Sequence, residues 1–448
     1  MKPFPISDQQ GGEHAGDLPD ACDVVVIGGG VIGVTTALYL ARAGQNVVLL
    51  EKGRIAGEQS SRNWGWIRTQ GRDPAEIPIM REAHDLWRAL ARQVDTDIGL
   101  KQVGVAFLAE KSDEIAAYED WMQHARAHDL DTRILNGAEV GDLIPTAARS
   151  WAGALWTPSD MRAEPFLAVP ALARLAAQEG AILREGCAVR LLDIEAGRVT
   201  GVVTETGRIR TDRVVLAGGA WSALFLRRHG VSIPQLSVRA TVAQTAPLPD
   251  VFQGGAVDGH LAFRRRADGG FTLAPSGFHE LFIGPDAFRA FARFMPQLLA
   301  DPLGTKYLPK APKGFPDAWG TARRWAGDDI SPFEAVRVLN PAPNSTKVAQ
   351  LARDFSAIFQ EGGPVGITRA WAGMIDVMPD VVPVVDHVAD LPGLTLCTGM
   401  CGHGFGIGPA FGRITAALTM GRDPGHDLTR FRLGRFSDGS KLELGPNL

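Results

Sequence analysis

Apolar and polar positions alternate most legibly between Asp23 and Glu51. The β-branched run VVVI gives way to a glycine turn, an alanine-rich stretch of helical period follows, and a second apolar run, VVLL, stops on an acid. Strand, helix and strand at these lengths predict a βαβ unit. Beyond the loop 53–74, EIPIMREAHDLWRALARQV carries apolar residues at helical spacing, VGVAFLAE reads as a strand, and SDEIAAYEDWMQHARAHDL reads as an amphipathic helix. A further helix starts behind Pro165 and ends by Gly180, with Leu167, Val169, Leu172 and Leu175 on its apolar side. CAVRLLDIEAG, RVTGVVTETG and RIRTDRVVLAGGAWS follow as three strands with glycine turns. Short strands (VRATVAQT, HLAFRRR, GFTLAPSG) and a Pro-rich helical stretch from Asp286 to about Pro341 make a mixed region. GITRAWAGMIDVMPDVVPVVD, the strand LTLCTGM and CGHGFGIGPAFGRITAAL close the chain with a glycine-rich turn that opens a helix.

The first unit carries chemistry. In IGGGVIG, Gly28 permits the tight turn, Gly30 lets backbone approach a pyrophosphate at the helix start (Val31, Ile32), and Gly33 lets helix and strand pack closely. Glu51, 18 residues past Gly33, falls where an acid meets the adenosine ribose hydroxyls. A carboxylate there repels a ribose phosphate, so the reading is an adenine dinucleotide other than NADP. VVLAGGAWS ends in small residues, where a second backbone approach to the dinucleotide is sterically open.

Composition narrows the remaining classes. The length of 448 residues suits two or three domains, and 45% hydrophobic with 21% charged residues describes a globular chain with a sizeable core. A net charge of −4 gives no electrostatic reason to expect nucleic acid or an anionic membrane as a partner. Cys22, Cys187, Cys397 and Cys401 lack metal-ligand spacing and read as buried thiols of a reducing compartment, with no metal expected. The first 20 residues have no apolar core of a secretory signal and read as a frayed tail; no run of 18 apolar residues predicts a membrane span. A cytoplasmic location is expected.

Four separated segments together resemble the D-amino acid oxidase family of FAD-dependent amine oxidoreductases, the group that includes glycine oxidase, D-amino acid dehydrogenase and sarcosine oxidase. They are IGGGVIG with Glu51, SSRNWGWIR, GRIRTDRVVLAGGAWS, and the pair RAWAGMIDVMPD and GHGFGIGPAFGR. The resemblance implies an α/β, Rossmann-like FAD-binding domain, discontinuous in sequence, under an α+β substrate domain with an antiparallel sheet. The expected division is a tail over 1–20; flavin-domain parts over 21–80, 161–232 and 355–432; a cap segment over 81–160; a substrate domain with a helical insertion over 233–354; and a tail over 433–448.

By the same resemblance, Lys52, Ser60, Ser61, Arg62, Asn63, Trp64 and Gly65 cradle the flavin after the first acidic strand. Val189, Ala217, Gly218 and Trp221 approach the nucleotide from the second part, and Gly373 faces the ring. The last turn, Gly402, His403, Gly404, Phe405, Gly406 and Ile407, brings a helix N-terminus near the flavin's pyrimidine edge. Arg68 lies where relatives hold the substrate carboxylate, a task suited to a guanidinium fork; the rival reading pairs it with Asp73 or Glu76. Trp66, Trp371 and Arg239 are candidates for the substrate pocket, and His403 is either a catalytic hydrogen-bonding group or a turn filler.

Two departures bear on chemistry. Gly373 stands where some relatives attach flavin through cysteine, so FAD is expected to be non-covalent. Gly406 and GGFTLAPSG lack the lysines that sarcosine oxidase-like enzymes carry, which weakens a fast reaction with oxygen. The implied reaction removes a hydride from the α-carbon of a neutral amine or amino acid, giving an imine that water hydrolyses to an oxo-acid and an amine. The acceptor is oxygen, a quinone or a carrier protein. Oxidation of a 2-hydroxy acid with His403 as base, or service as the flavin subunit of a hetero-oligomer, stays open, as does a homo-oligomer.

Overall fold

The protein was analysed as a computed structural model, which describes all residues except 1–3, 8–10, 303, 361–362 and 446–448. Two large sheets organise it. The first has six strands in the order 384–387, 394–398, 214–216, 24–27, 47–50 and 182–184; its pairings are parallel except for the antiparallel edge Val384–His387. These strands are short, nearly continuous runs of Val, Ile and Leu, as burial on both faces requires. Helices Val31–Arg42, Ile77–Ala91, Pro165–Gln178 and Gly404–Thr419 share one buried cluster on this sheet. A three-stranded meander, Val189–Glu195, Arg198–Thr204 and Arg208–Arg210, belongs to a second cluster.

Backbone proximity sets the first turn. Gly28 has φ +111°, and a Cβ there would lie 2.4 Å from the Ala217 carbonyl oxygen. A Cβ at Gly33 would come within 1.9 Å of the Gly28 oxygen. Strand Val24–Ile27 and helix Val31–Arg42 therefore meet closely only without side chains at these positions.

The second sheet has ten strands and is mostly antiparallel. Its backbone is Leu236–Thr245, which pairs with Ile367–Val377 over eleven residues of that strand and also with Phe271–Pro275 and His279–Phe282. Val105–Ala109, Gly153–Thr157 and Arg133–Asn136 extend the far end.

The structure corrects several expectations. Ile367–Val377, assigned to the third flavin-domain segment, belongs to the second sheet, because Trp371, Ala372 and Gly373 pair with Val242, Thr241 and Ala240. RIRTDRVVLAGGAWS is two strands in different sheets, broken where Thr211 Oγ1 accepts from Arg213 N. The described part of the expected N-terminal tail is anchored: Ile6 is buried, Phe4 packs on Trp371 with centroids 5.4 Å apart, and Arg184 donates to the Asp17 carbonyl at 2.7 Å. Near the C-terminus, Arg435 is buried against Asp380 at 2.8 Å and Phe436 enters the core, so the described part of 433–448 is also packed.

Gly33→Ala is expected to destabilise the fold by ~1–3 kcal/mol through overpacking against the Gly28 carbonyl. A thermal melt checks this, and an unchanged Tm would contradict the contact.

Candidate active site

The cleft begins where the βαβ turn opens. Gly28, Gly30, Val31 and Ile32 line it, and helix Val31–Arg42 presents its unsatisfied N-terminus there, with Ser60 Oγ accepting from Val31 N at 2.8 Å. Glu51 lines it from the end of the second strand; its carboxylate accepts from Gly29 N and Gly53 N, both at 2.7 Å. Val189, Ala217, Gly218, Trp221 and Lys52 complete this end. Glu58, unremarked in the sequence, gathers Lys52 Nζ at 2.8 Å, Trp221 Nε1 at 3.0 Å and Leu339 N at 3.0 Å, tying the loop to the cleft wall.

The other end is built by the loop 59–72 and the last glycine turn. Helix Gly404–Thr419 starts at His403, and Gly402, His403, Gly404, Phe405 and Gly406 all line the cleft. Asn63, Trp64, Trp66, Arg68 and Gly373 face the same space, and the two tryptophans meet edge to face with centroids 5.0 Å apart. Ala240, Thr241, Phe278 and His279 roof it from the second sheet. Two helix N-termini thus open into one elongated cleft, an arrangement that favours a ligand with negative charge at both places.

Some expected residues lie elsewhere. Arg239 does not line the cleft, because Glu280 binds its guanidinium at 2.7 Å and the Ala342 carbonyl accepts from it at 3.0 Å. Trp371 turns into the core and donates to the Arg62 carbonyl at 2.9 Å. Ser61 is buried and donates to the Ala56 carbonyl at 2.5 Å, while Gly33, Gly65 and Ile407 support the walls from behind. Arg62 does line the cleft, and it bonds Asn340 and the Ala372 carbonyl.

The electrostatics of the inner end depend on residues the sequence did not single out. Arg72 lines the cleft beside Arg68, donating to the Arg68 and His403 carbonyls at 3.1 and 3.3 Å, with its third nitrogen unpartnered. Arg68 donates to the Gln70 carbonyl and stands over the Phe107 ring at 5.3 Å, so it pairs with neither Asp73 nor Glu76. Asp73 instead meets Arg430. Burial pulls Arg68 down to about 9, helped by Arg72, which leaves it cationic at neutral pH. Glu76 lies 3.6 Å from His403 Nδ1; burial alone would raise its carboxyl, and His403, Arg72 and Arg68 together hold it low. Burial and Arg72 push His403 down to about 4, and neither of its ring nitrogens has a hydrogen-bond partner. Behind the loop, Asp160 Oδ1 accepts from Thr69 N at 2.7 Å, and burial lifts this carboxyl to about 7 against the pull of that N–H and Arg68.

At neutral pH the buried Arg72 and half-buried Arg68 guanidiniums therefore face one ionised carboxylate, Glu76. Charge at this end is positive, and an anion is the ligand it suits. These signals come from residues 72, 76, 160 and 403 meeting in space, with no spacing to reveal them.

The cleft fits an adenine dinucleotide carrying a reactive ring. Its middle has a glycine turn and a helix N-terminus for pyrophosphate, and its inner end supplies buried polar atoms without partners on His403, Trp66 and Arg72. A fold with this turn, this acid and this second sheet defines a dinucleotide-dependent oxidoreductase. The chain belongs to the FAD dependent oxidoreductase (DAO) family, whose profile matches residues 23–418. Its structure is similar to that of L-amino acid deaminase from Proteus myxofaciens in complex with anthranilate, with 30% identity, TM-score 0.90 and 95% of each chain covered. It is 25% identical to glycine oxidase of Pseudomonas aeruginosa over 90% of this chain and 95% of that one. Its match to human mitochondrial sarcosine dehydrogenase, 31% identical, covers 59% of this chain but only 30% of that protein. No helix among the described residues is long and apolar enough to cross a membrane.

The ordinary aspartate value is 3.8 and that of folded Asp160 is about 7, so the folded state binds this proton more tightly and loses stability relative to the unfolded chain as pH rises between the two. Asp160→Asn is expected to match the wild type in Tm near pH 4 and to exceed it above pH 7. Tm curves parallel at all pH values would contradict the buried charge.

Proposed function

We propose that this chain oxidises the C–N bond of a small amino acid or secondary amine that bears a carboxylate. The observation carrying this reading is the surplus of positive charge from the half-buried Arg68 and the buried Arg72 at the inner end of the cleft. FAD, when bound, supplies the hydride acceptor. Gly28, Gly30, Ser60 and the N-terminus of helix Val31–Arg42 would hold its pyrophosphate, and Glu51 its ribose.

Arg68 binds the substrate carboxylate as a fork and so fixes the α-carbon's position. Trp64 and Trp66 wall the apolar part of the substrate and exclude water. Both guanidiniums disfavour an ammonium, so the amine binds without its extra proton and needs no dedicated base. The substrate loses a hydride to become a protonated imine, and water then adds to it and releases an oxo-acid and an amine or ammonia. Anthranilate in the Proteus structure is itself a carboxylate with an amine, which agrees with an anion-binding inner end. A 2-hydroxy acid would require a base to take the hydroxyl proton, and His403 at about 4 is a weak one. The amine reading is therefore preferred.

FAD is held without a covalent bond in this reading. Gly373 offers no thiol, burial raises the Cys397 thiol to about 12, and the Cys401 thiol is also pushed up while it bonds Met378 N and the Gly399 carbonyl. Neither cysteine supplies a thiolate. The cleft's one lining lysine among the described residues, Lys52, is bound to Glu58, in keeping with an acceptor other than oxygen.

Anaerobic addition of D-, L- and N-alkyl amino acids is expected to bleach the oxidised flavin band, and bleaching by hydroxy acids alone would overturn the proposal. Arg68→Gln should lower kcat/KM by about 10- to 100-fold, the loss of a charge-assisted hydrogen bond, with Arg68→Lys intermediate. Acid precipitation should leave the flavin in the supernatant; colour retained in the pellet would refute non-covalent binding.

A further inference from the structure

Helix Pro285–Ala300 turns its apolar side outward. Phe288, Phe291 and Leu299 are 66%, 55% and 74% exposed, and with Ala292 and Met295 they form one stripe along the helix. Trp319, 59% exposed, continues the stripe, its ring centroid 6.0 Å from that of Phe288. The helix is held by its other side, where Asp286 pairs with Arg227 at 2.5 Å and Ala290 and Phe294 pack with Leu236 and Val238. None of the stripe residues lines the cleft, so the reaction does not account for them. A contiguous apolar patch of this kind marks an interaction surface.

Charge identifies the partner. Between residues 285 and 324 seven Lys and Arg stand against three Asp and no Glu, although the whole chain carries −4. Arg293 is exposed on one flank of the stripe beside Arg289, which pairs with Asp286 at 2.8 Å, and Lys306, Lys310, Lys313 and Arg324 are exposed in the segment that follows. Two copies of this chain meeting here would oppose like charges. We propose that this face lies on a bilayer surface rich in anionic lipid, with Phe288, Phe291, Leu299 and Trp319 at the acyl boundary and the cations among the headgroups. The proposal is independent of the substrate.

The test is flotation of the FAD-loaded protein with phosphatidylcholine vesicles, with and without phosphatidylglycerol, at low and high salt. Flotation only with phosphatidylglycerol, weakened by salt, is expected. Phe288→Ser/Phe291→Ser should lower vesicle affinity about tenfold or more, and Arg293→Glu several-fold, with the flavin spectrum and dye-coupled turnover unchanged. No flotation with either vesicle, or equal flotation of the double variant, would overturn the proposal. So would a wild type that sizes as a dimer and a double variant that sizes as a monomer, because the face would then belong to a second copy.

Discussion

The site depends on how closely two glycine-bearing helices approach. Thr35 on helix Val31–Arg42 donates its hydroxyl to the Gly408 carbonyl at 3.1 Å, and a Cβ at Gly412 would fall 2.0 Å from that hydroxyl oxygen. One helix starts at the βαβ turn near the beginning of the chain and the other at His403. Their N-termini open into one cleft because Gly408 and Gly412 present no side chain to Val31 and Thr35 at the crossing. The second sheet can then close over the cleft, since Leu236–Thr245 pairs with Ile367–Val377 and Ala240, Thr241 and Gly373 of these two strands line it.

Bringing two guanidiniums into the interior is costly unless something offsets it, and the surroundings do so only in part. Backbone carbonyls at residues 68, 70 and 403 accept from them, Glu76 supplies a full negative charge, and Asp160 at about 7 supplies a fraction of one. What remains uncompensated is an affinity for anions. Backbone bonds hold Arg72 firmly in place, whereas Arg68 has one carbonyl and an aromatic face, leaving more of its fork for a ligand. In the proposed reaction that difference would separate an arginine that sets the potential from one that makes the contact.

Much of this was legible in sequence where function is local. The βαβ unit, its acid and the last glycine turn are contiguous motifs, and each chain segment alone dictates the backbone it forms. The readings that failed concern side chains whose direction a distant strand decides. Arg239 was captured by Glu280 on a neighbouring strand, and Trp371 by a carbonyl of the loop it faces. Arg72 and Asp160 escaped notice, and Glu76 was read only as a rival partner of Arg68, because ordinary charged residues acquire meaning only when burial removes water from them. The ends were misread for a related reason: composition suggested fraying, while the six-stranded sheet and its flanks offered grooves for Phe4, Ile6 and Phe436.

The same cation pair serves binding and protonation together. A cation about 7 Å from an amine, at an effective dielectric of about 20, disfavours the ammonium by about 2 kcal/mol, which is more than one pK unit. A carboxylate bound between amine and guanidinium would cancel part of that effect from Arg68, but Arg72, held by its carbonyl partners, would still act on the amine. In the proposed reaction one arginine would attract the substrate while its neighbour would keep the substrate's nitrogen neutral, and a site so arranged would select amino acids over simple amines without a general base.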